Sequence, residues 1–258
     1  MLQNDDAVYF NMGNSTITKA FTFSIDNNTT DEIMFGDLTL NALAKEVTFS
    51  NKVKVNENFT VTEGKLTANQ GLTLDGAKTI SFNLTKPANY VNGKVTLLNA
   101  STSGATNMII GNASASALVG IAELTSTSAF DFQYFPSSYS NTTSFNNAVL
   151  GYISNKEYWA ISRISGTGSA KVNLGTYDFA TSGFSSFALA DAKVARFDTG
   201  STSWVDAGNT SNNVSANVGT MLSGANANFG VFTFAKTALN VLPVKLIAFK
   251  AQATNGGA

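Results

Sequence analysis

Between Gly36 and Leu84 the chain reads GDLTLNALAKEVTFSNKVKVNENFTVTEGKLTANQGLTLDGAKTISFNL, a ladder of short apolar–x–apolar triplets that constrains the fold more than any other stretch. The triplets are Leu38/Leu40, Val47/Phe49, Val53/Val55, Phe59/Val61, Leu66/Ala68, Leu72/Leu74 and Ile80/Phe82. Residues two apart point to one face of a strand, and the Thr, Lys or Ser between them points to the other. Turn formers separate the triplets, among them Ser50-Asn51, Asn56-Glu57-Asn58, Glu63-Gly64 and Asp75-Gly76. The ladder also repeats at longer range. Val47, Val53 and Phe59 recur as Leu66, Leu72 and Ile80, offsets of about 19 to 21 residues. This predicts three short strands per coil, each stacked on its equivalent one coil later, in a right-handed β-solenoid. A single such coil cannot bury its own apolar face. The alternative is an antiparallel meander, but hairpins this short bury little by themselves.

Composition sets the surroundings of this ladder. Charged residues make up 13% of the chain, about half the usual share. Its surface is therefore solvated by hydroxyls and amides more than by ions, as is common in extracellular β proteins. The net charge of −1 and the lack of a basic cluster argue against a nucleic-acid partner. Cysteine and histidine are both absent, which removes disulfides, thiolate chemistry, the commonest general base and the commonest zinc ligand. No apolar run approaches the ~20 residues of a transmembrane segment. Met1–Asp6 lacks the pattern of a signal peptide. The chain reads either as cytosolic or as a mature secreted fragment with a starting Met, and composition favours the second.

The second half has a different texture. Longer aromatic strands are predicted at 130–134, 157–162, 170–174, 193–197 and 229–234, with turn clusters at 165–169, 198–201 and 206–208. Their spacing points to an antiparallel β-sandwich. The expected organisation is all-β: a solenoid over 1–100, a sandwich over 101–241 and an extended C-terminal segment over 242–258. A small-residue stretch at 99–106 marks the expected boundary, and Asn41–Glu46 is at most one helical turn.

The order GYISNKEYWAISRISGTGSAKVNLG, AKVARFDTGSTSWVDAG, FGVFTFA and LPVKLIAFKA resembles a module of large secreted surface proteins of the Bacteroidota that leave the cell by type IX secretion. The resemblance covers most of residues 36–250. It implies solenoid coils followed by a sandwich with an EYW strand and an RFD…W hairpin. The LPVKLIAF-like segment would then lead into further modules and a sorting domain. No sorting domain follows in this sequence, which implies its removal or a longer parent chain.

Several residues invite a chemical reading. Tyr158 and Trp159 in the EYW motif, and Trp204 beside the 198–201 turn, are candidates for a sugar-binding platform, because flat rings match sugar faces. The competing reading makes such a ring core, since neighbours on a strand face opposite sides. Asp198, Asp206 and Asn209 carry oxygens of the type that calcium takes, at a spacing that fits no EF-hand or Asp-rich repeat and with turn residues as the simpler account. No metal or cofactor is expected. The carboxylates Asp131, Glu157, Asp178 and Asp191 are not paired by sequence for glycosidase chemistry. Thr39, Thr60 and Ser81 are expected to stack in one outward column; threonine arrays occur on ice-binding solenoids, but ordinary β-propensity also accounts for them.

These features lead to the expectation of a non-enzymatic extracellular structural or adhesive module at a bacterial surface. Val244, Leu246, Ile247 and Phe249 form an extended apolar segment suited to strand addition, so head-to-tail assembly into a filament is expected. Partners are then other copies or further modules of the same protein. The alternative is a carbohydrate-binding module of a polysaccharide-degrading protein, with glycans as partners.

Overall fold

The computed structural model describes residues 9–11, 15–19, 21–23, 31–113, 115–177, 189–215 and 218–238. Its first strands are β1 (Tyr9–Asn11), β2 (Ser15–Ile17), β3 (Phe21–Phe23), β4 (Glu32–Phe35), β5 (Leu38–Phe49) and β6 (Lys52–Val55). Next come β7 (Phe59–Ala68), β8 (Leu72–Asp75), β9 (Ile80–Phe82), β10 (Val91–Asn92), β11 (Val95–Ala100) and β12 (Thr106–Asn112). Successive coils pair in parallel and make a β-solenoid of about 4 turns over residues 15–111. The register is the one the repeat predicts: Val47 stands beside Leu66, Val53 beside Leu72 and Phe59 beside Ile80.

The triplets explain the packing. Leu38, Leu40, Phe59 and Val61 are buried, while the intervening Thr39 and Thr60 are half-buried on the other side. Aromatic contacts tie the core, with Phe35 meeting Phe49 across one coil and Phe59 meeting Phe82 of the next, both edge-on at 5.8 Å. Polar groups stack outside in the same period. Asp37 Oδ1 accepts from the N–H and side-chain amide of Asn58, and Asn58 Oδ1 accepts from the Thr79 N–H.

Asn41–Glu46 is not helical. It is a bulged part of β5, where the register against β7 shifts. Ala44 there has φ 52°, and Gly64 in the facing part of β7 has φ 102°. Both strands bend at this corner so that one continuous chain serves two columns of the coil. The bend demands glycine, because a Cβ on Gly64 would sit 2.5 Å from the Ala42 carbonyl oxygen. Buried Asn89 supports the corner: its Oδ1 accepts from the Gly64 N–H at 2.8 Å, and its Nδ2 donates to the Thr62 carbonyl at 3.0 Å.

Beyond residue 112 the strands are β13 (Ala115–Ala122), β14 (Ser128–Phe135), β15 (Leu150–Ile153), β16 (Tyr158–Ser165) and β17 (Ala170–Thr176). They continue with β18 (Ala192–Asp198), β19 (Ser203–Gly208), β20 (Ser211–Ser215), β21 (Val218–Asn226) and β22 (Gly230–Thr237). All pair antiparallel with one another. The change of sense falls on β11 and β12, which pair in parallel backward and antiparallel forward, onto β14 and β13. Neither sheet breaks there. One runs β1-β4-β6-β8-β11-β14-β16-β22-β18-β19 and the other β2-β5-β7-β10-β12-β13-β17-β21-β20. Between them lies a single core that extends from Ile17 to Phe234. The antiparallel strands thus extend the two sheets of the solenoid.

A second, smaller core covers the outer side of the first sheet. Leu150, Ile153, Ala195, Phe197, Trp204 and Ala235 form it, beneath Tyr139 and Phe145 of the 136–149 segment. That segment is pinned by β19: the Trp204 N–H donates to the Ser144 carbonyl at 2.8 Å and the Ser203 hydroxyl to the same oxygen at 3.0 Å.

Candidate functional site

The Glu157-Tyr158-Trp159 motif enters β16, and strand alternation sends its neighbours to opposite sides. Trp159 faces the main core with 0% exposure, packed against Tyr134 and Phe234 at 5.4 and 5.2 Å. Trp204 lies in the smaller core at 1% exposure, its indole N–H donating to the Asn141 carbonyl. Neither tryptophan presents a ring face to solvent in this conformation. Tyr158 does remain half-exposed, stacked on Phe135 at 4.5 Å with 12° between the rings. Tyr139 meets Tyr158 edge-on at 5.3 Å and continues inward to Phe197 and Trp204. Burial, then the nearby Tyr139, pushes the Tyr158 hydroxyl above its ordinary range. The product is a partly open aromatic group, Phe135–Tyr139–Tyr158, on a rigid sheet.

Phe135 and Tyr139 were not legible as members of this group. Phe135 stands opposite Tyr158 only once β14 and β16 are paired, and Tyr139 arrives on a loop. The alternation Tyr134/Phe135 was the one signal available, since it requires one of the two rings to leave the core.

The described carboxylates do not converge. Glu157 is buried and accepts from the Tyr134 hydroxyl at 2.8 Å, and its backbone carbonyl accepts from Thr233. Burial first, then the Glu157 charge and hydrogen bond, push the Tyr134 hydroxyl far above the usual tyrosine range. Asp131 is tied to Thr96 at 2.6 Å and Lys94 at 3.1 Å in the sheet, Asp191 lies in a short 3-10 turn, and Asp178 is outside the described residues.

Asp198, Asp206 and Asn209 are likewise not brought together. In the β18–β19 hairpin Asp198 pairs with Ser203 and Asp206 with Ala195, a register that puts the two on opposite faces. Asp198 Oδ2 accepts from the Ser201 hydroxyl at 2.7 Å and its N–H at 3.0 Å. These bonds, with a smaller pull from Arg196, hold its carboxyl below the usual range. Asp206 accepts from the Gly208 N–H at 2.6 Å, and Asn209 donates to the Ala192 carbonyl at 2.9 Å. Among the described residues no three acidic side chains gather. Val244, Leu246, Ile247 and Phe249 lie outside the described residues.

The threonine column is present and longer than expected, running Thr16–Thr39–Thr60–Ser81. A second, Thr22–Thr48–Thr67–Asn92, stacks beside it along the other arm of the coil. Its members are partly consumed internally, since Thr67 donates to Glu46 and accepts from Asn92. A comparison of the chain with protein-family models, with curated proteins and with solved structures finds none that matches.

Proposed function

We propose that this chain is an extracellular, non-enzymatic structural and adhesive module of a bacterial surface protein, of the kind exported by type IX secretion. In this reading the coils wind right-handed, as parallel crossovers almost always do, and the antiparallel part acts as a sandwich. The module adds head to tail to other copies or to further modules of a parent protein. The observation that carries it is the end of the solenoid: among the described residues β1, β2 and β3 pair on one side only, in parallel. Such a row of backbone groups is a template for a further strand, and a contact between unlike ends builds a filament rather than a closed dimer. The 242–258 segment supplies the strand. Light scattering on the full chain and on a version lacking 242–258 tests this. Concentration-dependent assembly lost on deletion is expected; a full chain that stays monomeric at high concentration, or assembly that survives the deletion, overturns it.

A second reading, a carbohydrate-binding module of a polysaccharide-degrading protein, is favoured by the half-exposed Phe135–Tyr139–Tyr158 group. A glycan array with Tyr158→Ala separates the two. Saturable binding abolished by that change in a folded protein supports the second reading; an array without specific binding refutes it.

A further inference from the structure

A charge in the apolar phase of a core strand is out of place. Trp159, Ile161 and Arg163 share one phase of β16, opposite Tyr134, Phe132 and Phe130. Val194 and Arg196 share one phase of β18, opposite Phe234 and Phe232. Both arginines therefore stand on the core side of the sheet. They flank its rim from either side of β22, the strand between theirs, which begins at Gly230. β16 runs past that point while β18 ends level with it, and an open notch of about 360 Å³ lies there, lined by Ser162, Arg163, Arg196, Asp198, Asn228 and Phe229. That volume is within the roughly 300–1,000 Å³ of small-ligand sites.

The charges in the notch do not balance. The Arg163 guanidinium lies over the Phe229 ring at 4.6 Å and near the Phe130 ring at 5.8 Å. One terminal nitrogen donates to the Gly168 carbonyl at 2.6 Å, but Nε is buried and has no acceptor among the described residues. Arg196, its side chain only 13% exposed, reaches a single carboxylate, Asp198, at a long 3.4 Å. Asp198 in turn is held mainly by Ser201. Among the described residues, two guanidinium groups thus face one engaged carboxylate. Stacking on an aromatic ring occupies the face of a guanidinium and leaves its in-plane N–H groups free, the geometry that meets a planar carboxylate.

We propose that this notch binds the carboxylate of a uronate residue in an acidic polysaccharide. Among the described residues the surplus is one positive charge, which matches a monoanion, and the planar guanidinium forks of Arg163 and Arg196 can meet both oxygens of a carboxylate. Ser162 and Asn228 at the mouth supply the hydroxyl and amide that ring hydroxyls pair with. The notch lies at the far end of β16 from Tyr158 and on its other side, so the inference rests neither on that aromatic group nor on assembly.

Isothermal titration calorimetry of the full chain with hexagalacturonate and hexamannuronate, each beside its fully methyl-esterified counterpart, tests it. Saturable binding of at least one acid is expected, with roughly tenfold or greater loss for its ester and for Arg163→Gln. Arg196→Gln, nearer the rim, reads the same site should Arg163→Gln melt early, and the ester comparison needs no variant. Loss of binding in either arginine variant, with the fold intact, locates the site at the notch and not at the aromatic surface. Failure of both acids to bind, equal binding of acid and ester, equal affinity for dextran sulfate, or folded arginine variants that bind as the wild type would each overturn the proposal.

Discussion

Trp159 and Trp204 are both buried, but their indole N–H groups have opposite fates, and that difference sets a measurable order among substitutions. Trp159→Ala removes a side chain of 0% exposure from between Tyr134 and Phe234. Loss of its transfer free energy together with the cavity left behind costs about 3–5 kcal/mol. Trp159→Phe keeps an aromatic ring and deletes an Nε1–H that is buried with no acceptor among the described residues. An unpaired buried donor carries a penalty of about 1–3 kcal/mol, and its removal offsets most of the lost volume. The net cost of Trp159→Phe is then about 1 kcal/mol or less. Trp204→Phe deletes an N–H that is used, and it strands the Asn141 carbonyl over the smaller core. The same principle now adds its ~1–3 kcal/mol to the packing loss. Urea unfolding, compared at midpoints with unchanged slope, reads all three values. The expected order of destabilisation is Trp159→Ala above Trp204→Phe above Trp159→Phe. A loss below about 0.5 kcal/mol for Trp159→Ala would place that ring at the surface, and Trp159→Phe costing as much as Trp204→Phe would refute the polar half of the argument.

Gly64→Ala is expected to destabilise by about 1–3 kcal/mol, because φ 102° and a 2.5 Å approach to the Ala42 carbonyl both oppose a Cβ; a melting temperature equal to wild type would show that the corner relaxes freely. Burial, reinforced at Tyr134 by Glu157, pushes the Tyr134 and Tyr177 hydroxyls above the ordinary tyrosine range. The unfolded chain releases these protons near pH 10 and the folded chain does not, so their contribution is intact below about pH 10 and is lost as pH rises beyond it. Urea midpoints should therefore fall above that pH, less steeply in Tyr177→Phe, whose deleted hydroxyl is buried without a partner among the described residues; identical slopes would contradict this. Limited proteolysis should cut the exposed 102–105 loop first, yet the two fragments should co-elute, since both sheets and the main core cross that boundary. Fragments that separate on a sizing column would mark two independent domains.

The two halves differ in how much of them could be read from the residues, and the reason is the range of their contacts. In the solenoid each strand pairs with one about twenty residues away, so periodicity in the sequence is periodicity in space. That is why the pairs Val47–Leu66, Val53–Leu72 and Phe59–Ile80 are legible in the residues alone. The corner was missed because it depends on Gly64 meeting the Ala42 carbonyl and on Asn89 from the next coil. In the antiparallel half the strands at 130–134, 157–162 and 229–234 were legible, but not the placing of β22 between β16 and β18. Without the β14–β16 pairing the stacking of Phe135 on Tyr158 could not be foreseen, nor, without the place of β22, the shared notch of Arg163 and Arg196. A local signal for the arginines did exist: WAISRI and VARF each place Arg on the apolar beat of a strand.

The coil-on-coil register has a consequence for how such a chain changes over generations. Excising residues 53–71 would join Lys52 directly to Leu72, and every column would close on an existing partner. β4 would meet β8 where it met β6, Leu38–Leu40 would meet β9, and Val47–Phe49 would meet β10. Duplicating the same segment would insert one more rung by the same logic. Insertions and deletions of a whole period thus keep every column in register, while a one-residue change within a strand throws its triplet onto the wrong face. The length of this molecule can change by whole turns, with the antiparallel end riding on whichever coil comes last.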